Sequence, residues 1–346
     1  MRALCLTATG GPQHLAVLDL PAPPPIGPDE VRVRMRAVAI NHLDLWVADG
    51  LREVPIPSFP HVVGADGAGE VLDAGTAVMH VRAGDRVVIN PGTSCGTCEA
   101  CLAGEEPFCK RFSLLGEHRP GIAAEEVVLS GRNVTPIRGD WTWAEAAAFP
   151  LTTLTAWRML TTRARVEPGE VVLIWGIGGG VAIQALQIAR HLGARVAVTS
   201  SSTDKLGRAR ALGAELAIDH SDDADVAAQV KAHFGRGADV VADSVGADTW
   251  TRSLKALRPG GRYVTCGATA GRHVELDLRR LFWFQWSLLG STMGTSREFS
   301  DVVALGDRGL FRPVIDSVLP LASAADAYRR LAGASQFGKI VLEVTP

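Results

Sequence analysis

The chain has 346 residues, 35 Lys+Arg against 37 Asp+Glu for a formal net charge of −2, and 47% hydrophobic residues. That length suggests about two domains with a core each, and with no strongly basic stretch the charge argues against a nucleic-acid partner. The apolar run at residues 1–6 is too short for a signal peptide, and no run reaches the roughly 18 to 20 apolar residues of a membrane helix, so the expectation is a cytoplasmic protein without a membrane partner.

From residue 1 to 135 the chain shows short β-like runs at 31–35, 69–72, 86–89 and 125–129, broken by Pro and Gly, with a turn-rich segment at 21–28. This pattern predicts a compact, largely antiparallel β domain. Inside it, the excursion 91–111 carries Cys95, Cys98, Cys101 and Cys109, with Gly96 and Gly104 between them. Four thiolates can close a tetrahedral zinc site that leaves no position for water, which makes the site structural. Two disulfides are the alternative, disfavoured because two-residue spacings suit chelation and nothing else marks a secreted chain. Amides of the segment 93–97 are placed to hydrogen-bond thiolate sulfur.

The region 136–290 turns, from about residue 150, into strand, glycine turn and helix in alternation, which predicts an α/β domain with a doubly wound parallel sheet. Strands are expected at 171–175, 195–199, 216–219, 240–243 and 261–266. The first strand runs into Gly176, Ile177, Gly178, Gly179, Gly180 and Val181, then into an apolar helix at 183–192. Glycine lets such a backbone turn tightly and approach a pyrophosphate, whose charge sits on amides at the helix N-terminus. The last stretch, 291–346, returns to short strands such as 339–344 and is expected to rejoin the first domain.

Selectivity between the two nicotinamide cofactors rests on the residue just past the second strand, where an NAD site places Asp or Glu on the ribose hydroxyls. Here Ser200, Ser201 and Ser202 occupy that stretch, followed by Asp204 and Lys205. Ser201 or Ser202 can donate to a 2′-phosphate and Lys205 can supply charge, which favours NADPH over NADH. Against this, Lys205 also reads as a solvated first-turn residue and Asp204 as the helix cap.

Several further motifs carry a resemblance: Asn41-His42-Leu43-Asp44, Gly64-Ala65-Asp66-Gly67-Ala68-Gly69, Gly84-Asp85-Arg86-Val87 and Gly338-Lys339-Ile340-Val341. With the four-cysteine lobe and the glycine turn, they make the chain similar to zinc-containing alcohol dehydrogenases and quinone oxidoreductases of the medium-chain dehydrogenase/reductase superfamily. The resemblance implies a GroES-like catalytic domain at 1–135, a Rossmann NADP(H)-binding domain at 136–290, a return to the catalytic domain at 291–346, and an active site in the cleft between the domains. It also implies a homodimer or homotetramer.

Departures from the family pattern bear on the chemistry. Alcohol dehydrogenases of this family hold a second, catalytic zinc by a Cys where this chain has Asn41, by a His where it has Ala65, and by a Cys or acid shortly before the Rossmann domain, where residues 146–153 offer no thiolate, imidazole or carboxylate. Leu43 stands where zinc enzymes carry a relay hydroxyl, and Asp66 where the motif has Glu. Without a metal to acidify an alcohol, reduction of an activated acceptor is the easier reaction, because an enolate-like anion can be carried by hydrogen bonds. The expectation is therefore an NADPH-dependent oxidoreductase that reduces a small quinone or α,β-unsaturated carbonyl, with one structural zinc. An alcohol dehydrogenase with substituted ligands Asp44, His61 and Asp66, and a non-catalytic NADPH-binding protein, are the alternatives.

At the matched positions the catalytic candidates are Asn41, His42, Asp44 and Asp66. Asn41 can hydrogen-bond the acceptor carbonyl or the nicotinamide, or be a buried amide bonded to backbone. His42 reads as a proton donor or a loop histidine, Asp44 as orienting its neighbours, and Asp66 as a proton relay or a structural acid. By similarity, Thr153 and Gly267 join the glycine turn as cofactor contacts. Lys339 matches a basic position near the cofactor phosphates, while the residues alone read it as a surface strand lysine. Trp46, Trp283 and Trp286 are candidates for lining an acceptor pocket, although core packing is the stronger reading of the run 282–286.

Overall fold

The computed structural model describes residues 1–50, 56, 58–221 and 225–344. Two compact units result, 1–154 with 294–346, and 155–293.

In the first unit the long strand Glu30–Ala39 alternates buried and half-buried positions, so Val31, Val33, Met35 and Ala37 enter the core. This is the two-residue period of a sheet with one face covered. It pairs antiparallel with Asp66–Ala74 on one side and Lys339–Glu343 on the other, while Glu126–Ser130 pairs with its N-terminal half. Arg86–Ile89, Val134–Pro136 and Ile315–Pro320 complete this seven-stranded sheet. The last strand thus brings residues near 340 beside residues near 40. A smaller sheet of Leu15–Asp19, Arg2–Leu6 and His61–Val62 adds Leu4 and Leu6 to the same core.

The second unit holds a six-stranded, all-parallel sheet in the order Leu216–Asp219, Arg195–Ser200, Val171–Ile174, Ala238–Asp243, Leu257–Thr265, Ser287–Gly290. Numbered within the unit this is 3-2-1-4-5-6, the doubly wound dinucleotide-binding order. Val171 to Ile174 are all buried, as expected for a central strand covered on both faces. The five predicted strands are present, and Ser287–Gly290 is an additional sixth.

The aromatic run 282–286 divides. Trp286 is buried, stacks on Phe284 at 4.9 Å and donates from Nε1 to Arg258 O, whereas Phe282 and Trp283, on the helix Leu278–Phe284, are exposed. Core packing therefore holds for the second half of the run only. No helix among the described residues is long and apolar enough to cross a membrane.

Candidate active site

Three neighbouring strands of the first unit deliver a buried charged cluster. Asp66 opens its strand opposite Ala39, Asn41 follows Ile40 just beyond that strand, and the Ile40 amide donates to Ile340 O, next to Lys339. Gly338 makes the entry possible: its φ is +109°, and a Cβ there would lie 2.1 Å from Val314 O.

Lys339 is 4% exposed, so the reading of it as a surface lysine is corrected. Its Nζ donates to Asn41 Oδ1 at 2.5 Å and to Asp66 Oδ2 at 3.1 Å. Asn41 in turn donates from Nδ2 to Asp66 Oδ2 and to Ala39 O, both at 3.3 Å. The other Asp66 oxygen accepts from the Leu151 amide at 3.0 Å. Asn41 is thus committed to protein partners, and its expected role as a donor to an acceptor carbonyl meets an amide whose N–H groups both point at protein oxygens.

Helix His42–Asp49 begins directly after Asn41, and Asp44 Oδ2 accepts from the Asn41 amide at 2.7 Å, closing the first turn. Burial raises the Asp44 carboxyl to about 7, against the opposing pull of that amide and of Lys339. Among the described residues its Oδ1 has no hydrogen-bond partner. Neither has the fully buried Tyr328 hydroxyl, which burial and the Asp44 charge push well above the ordinary tyrosine range. Asp66 is also raised by burial, with Lys339 as the main opposing influence. His42 is half-buried, and burial together with the Lys339 charge lowers its pKa, which keeps the ring neutral. Thr153 is fully buried and its Oγ1 lacks a partner among the described residues, an orphaned hydroxyl that fits a ligand contact.

In the second unit the glycine turn is held from the neighbouring strand, since the Ile177 amide donates to Thr199 O at 2.8 Å and the Gly176 amide to Thr199 Oγ1 at 3.3 Å. Gly176 and Gly178 have φ of +67° and +142°, conformations that favour glycine. Gly179 caps the helix Gly180–His191, so its first turn, with Gly180 and Val181, presents free backbone amides as an anion site requires. At the end of the adjacent strand Ser201 is exposed, while Ser202 caps the helix Thr203–Ala211 by accepting from the Lys205 amide at 3.4 Å. The cap is Ser202 and not Asp204, and Lys205 is half-buried. Gly267 sits in the turn after Leu257–Thr265, bonded to Thr265 Oγ1.

The cysteine lobe is a hairpin, Gly92–Thr93 with Ser113–Leu114, around the helix Glu99–Leu102. Among the described residues Cys95, Cys98, Cys101 and Cys109 are the one group of three or more His, Cys, Asp or Glu placed to hold a metal, with ligand atoms all within 4.8 Å of one another. Sγ separations of 3.6 and 3.8 Å match the edge of about 3.8 Å that four sulfurs at about 2.3 Å from zinc would have, and all four cysteines are free of disulfides. Amides of Thr97 and Cys98 donate to Cys95 Sγ, and that of Arg111 to Cys109 Sγ. The first pair, led by Thr97, holds the Cys95 thiol down at about 5, ready to bind as thiolate. By contrast His61, proposed as a substituted ligand, points Nε2 at Gly116 O at 3.1 Å.

Residues 27–139 match the alcohol dehydrogenase GroES-like domain and residues 180–308 the zinc-binding dehydrogenase domain. An alcohol dehydrogenase of Schizosaccharomyces pombe is 30% identical over 342 residues, covering 97% of this chain and 95% of that protein. The chain belongs to the medium-chain dehydrogenase/reductase superfamily. As a member it is a nicotinamide-dependent oxidoreductase of the alcohol dehydrogenase-like, zinc-binding type, acting on a small molecule. A solved structure described as an NAD-dependent alcohol dehydrogenase is similar to this dehydrogenase/reductase over 100% of both chains, with 46% identity and a TM-score of 0.95. An acryloyl-coenzyme A reductase of Sulfurisphaera tokodaii is 26% identical over 98% of this chain and 99% of its own.

Sequence reasoning missed two members of this dehydrogenase/reductase's cluster. The Leu151 amide carries no side-chain signal, and Tyr328 reads as one more apolar position of the helix Ala324–Ala332. The Lys339 contact with Asn41 and Asp66 was missed as well, because it spans 298 and 273 positions of sequence.

Proposed function

We propose that this protein is an NADPH-dependent reductase of a quinone or α,β-unsaturated carbonyl that works without a catalytic zinc. The observation that carries the reading is the Lys339 ammonium bonded to Asn41 and Asp66, positions at or beside those where alcohol dehydrogenases of the family bind their catalytic metal. Asn41 and Ala65 offer zinc neither thiolate nor imidazole, residues 146–153 add no ligand, and a neighbouring ammonium repels a dication. The residues present do not fit a second zinc.

When bound, NADPH supplies the hydride, two electrons and a proton's mass, which forms the new C–H bond while the acceptor's π pair moves to its carbonyl oxygen. The chain's residues bind, orient and protonate around that event. Amides at the start of the helix Gly180–His191 bind pyrophosphate, and Ser201, Ser202 and Lys205 favour a 2′-phosphate over a bare ribose. Thr153 Oγ1 gains the partner it lacks. Asp44 and His42, both with shifted affinity for protons, hold or pass the proton that the reduced acceptor takes up. The acryloyl-coenzyme A reductase among the relatives supports conjugate reduction.

Zinc per chain, measured together with NADPH oxidation across a quinone and enone panel, tests the reading. One zinc with acceptor-dependent oxidation is expected. The 46% identical structure, named as an NAD-dependent alcohol dehydrogenase, favours a second reading. That reading requires two zinc ions and chelator-sensitive alcohol oxidation with NAD, and finding them would replace the first. The active species is proposed to be a homodimer or homotetramer, for which the exposed Leu278, Phe282 and Trp283 offer apolar surface; sedimentation would test it.

A further inference from the structure

A buried lysine needs a reason. Taking an ammonium out of water costs several kcal/mol unless its protons are matched to acceptors. An ammonium has three N–H donors. At Lys339 two of them are matched, to Asn41 Oδ1 and Asp66 Oδ2, and among the described residues the third has no hydrogen-bond acceptor. The cluster also fixes the amine in place: Asn41 is held from Ala39 O and Asp66, and Asp66 from the Leu151 amide. The positive charge therefore has a fixed position and one proton still to give.

We infer that Lys339 is the electrophile of this enzyme: its uncommitted N–H hydrogen-bonds the acceptor's carbonyl oxygen, the task that the metal performs in zinc-dependent relatives. This rests on the reductase reading given above. As the hydride forms its C–H bond and the π pair shifts to oxygen, the negative charge arrives beside a fixed cation in a place poor in water, where such a contact is strongest. The proton held or passed by Asp44 and His42, replaced in turn from solvent, then completes the product, and Lys339 ends the cycle protonated as it began. Asn41 and Asp66 are positioning residues that hold the ammonium in place.

The test uses the full-length, zinc-loaded protein carrying Lys339→Met, which keeps the length and removes the charge, and Lys339→Ala, which leaves room for n-propylammonium. Zinc content and circular dichroism qualify each variant as folded. If Lys339→Met fails that check, Lys339→Arg takes its place, because it keeps the charge and displaces it. The expected result is a kcat lower by about 100- to 1,000-fold, the usual loss for one oxyanion donor, with NADPH affinity within about threefold of wild type. In Lys339→Ala, n-propylammonium should restore part of kcat with saturation. It should also raise the melting temperature of the cofactor-free variant while leaving that of wild type unchanged.

Retained kcat with weakened NADPH binding would overturn the inference and return Lys339 to the cofactor phosphates. Lost kcat with neither rescue nor a melting response would also overturn it, leaving a structural lysine. In both cases the reductase reading stands, since wild type still turns over. A wild-type protein that oxidises NADPH with no acceptor takes both readings down.

Discussion

Lys339 Nζ lies 3.1 Å from Asp66 Oδ2, with the two side chains 4% and 0% exposed and 273 positions apart in sequence. Removing one partner of such a pair leaves a buried charge without compensation, at a cost of about 3 to 5 kcal/mol. Replacing both removes the charge altogether. Asp66→Asn and Lys339→Met should each destabilise by that order, and the double variant should lose clearly less than the sum. Urea unfolding of the four proteins in a double-mutant cycle measures this, and additivity within about 0.5 kcal/mol would show that the pair is not coupled.

The site's burial sets the sign of a pH effect at Asp44. Its folded pKa of about 7 lies above the ordinary carboxylate value, because burial disfavours the anion, so between about 4 and 7 the folded protein binds more protons than the unfolded chain. Stability from this group is therefore full below about 4, falls as pH rises through that window, and is flat above it. A shift of about three pKa units corresponds to about 4 kcal/mol. Asp44→Asn keeps an oxygen that can accept from the Asn41 amide and removes the titration. Against wild type it should gain little at pH 5 and up to a few kcal/mol at pH 8, read by urea unfolding at the two pH values. An equal difference at both would mean that Asp44 is ionised at both.

Legibility from sequence follows the range of the interactions. The cysteine lobe, the glycine turn and the strands around 171–174 and 195–200 were readable because each is a local pattern: fixed thiol spacing, a turn that needs glycine, an apolar run too short for a helix. The strand Ser287–Gly290 was not, since four residues with half-buried and exposed side chains carry no periodicity. Lys339 illustrates the harder case. Its residue type is plain in the sequence, but its partners depend on the registers of three strands from opposite ends of the chain, and no window of sequence contains all three. Asn41 reads equally as a donor to a ligand or as a buried amide for the same reason, because what consumes its amide lies elsewhere in the sequence.

Zinc removal should have a local signature. The lobe between Gly92–Thr93 and Ser113–Leu114 has few regular backbone pairs of its own and is organised around four sulfurs. Cys109→Ser should therefore lower zinc from one per chain to near zero, and amides 93–113 should lose hydrogen-exchange protection while those of 171–174 keep theirs. Loss of protection throughout the chain would show that the metal supports more than the lobe.

Cofactor choice offers the sharpest contrast between neighbouring residues. Ser202 caps its helix, so Ser202→Ala combines about 1 kcal/mol of lost capping with the loss of a hydroxyl donor, and its effect on binding alone is hard to interpret. Ser201 is exposed at the end of the strand and carries no such duty in the fold. A carboxylate there would accept the ribose hydroxyls and repel a 2′-phosphate. Ser201→Asp should weaken NADPH binding by about tenfold or more while leaving NADH binding equal or stronger, and Lys205→Ala should weaken NADPH alone, by about 1 to 2 kcal/mol for one charge-assisted contact. Fluorescence titration of both cofactors against both variants measures the ratio. If NADH already binds more tightly than NADPH to the unaltered protein and neither substitution moves the ratio, the serines are a helix cap and a loop with no part in selecting the cofactor.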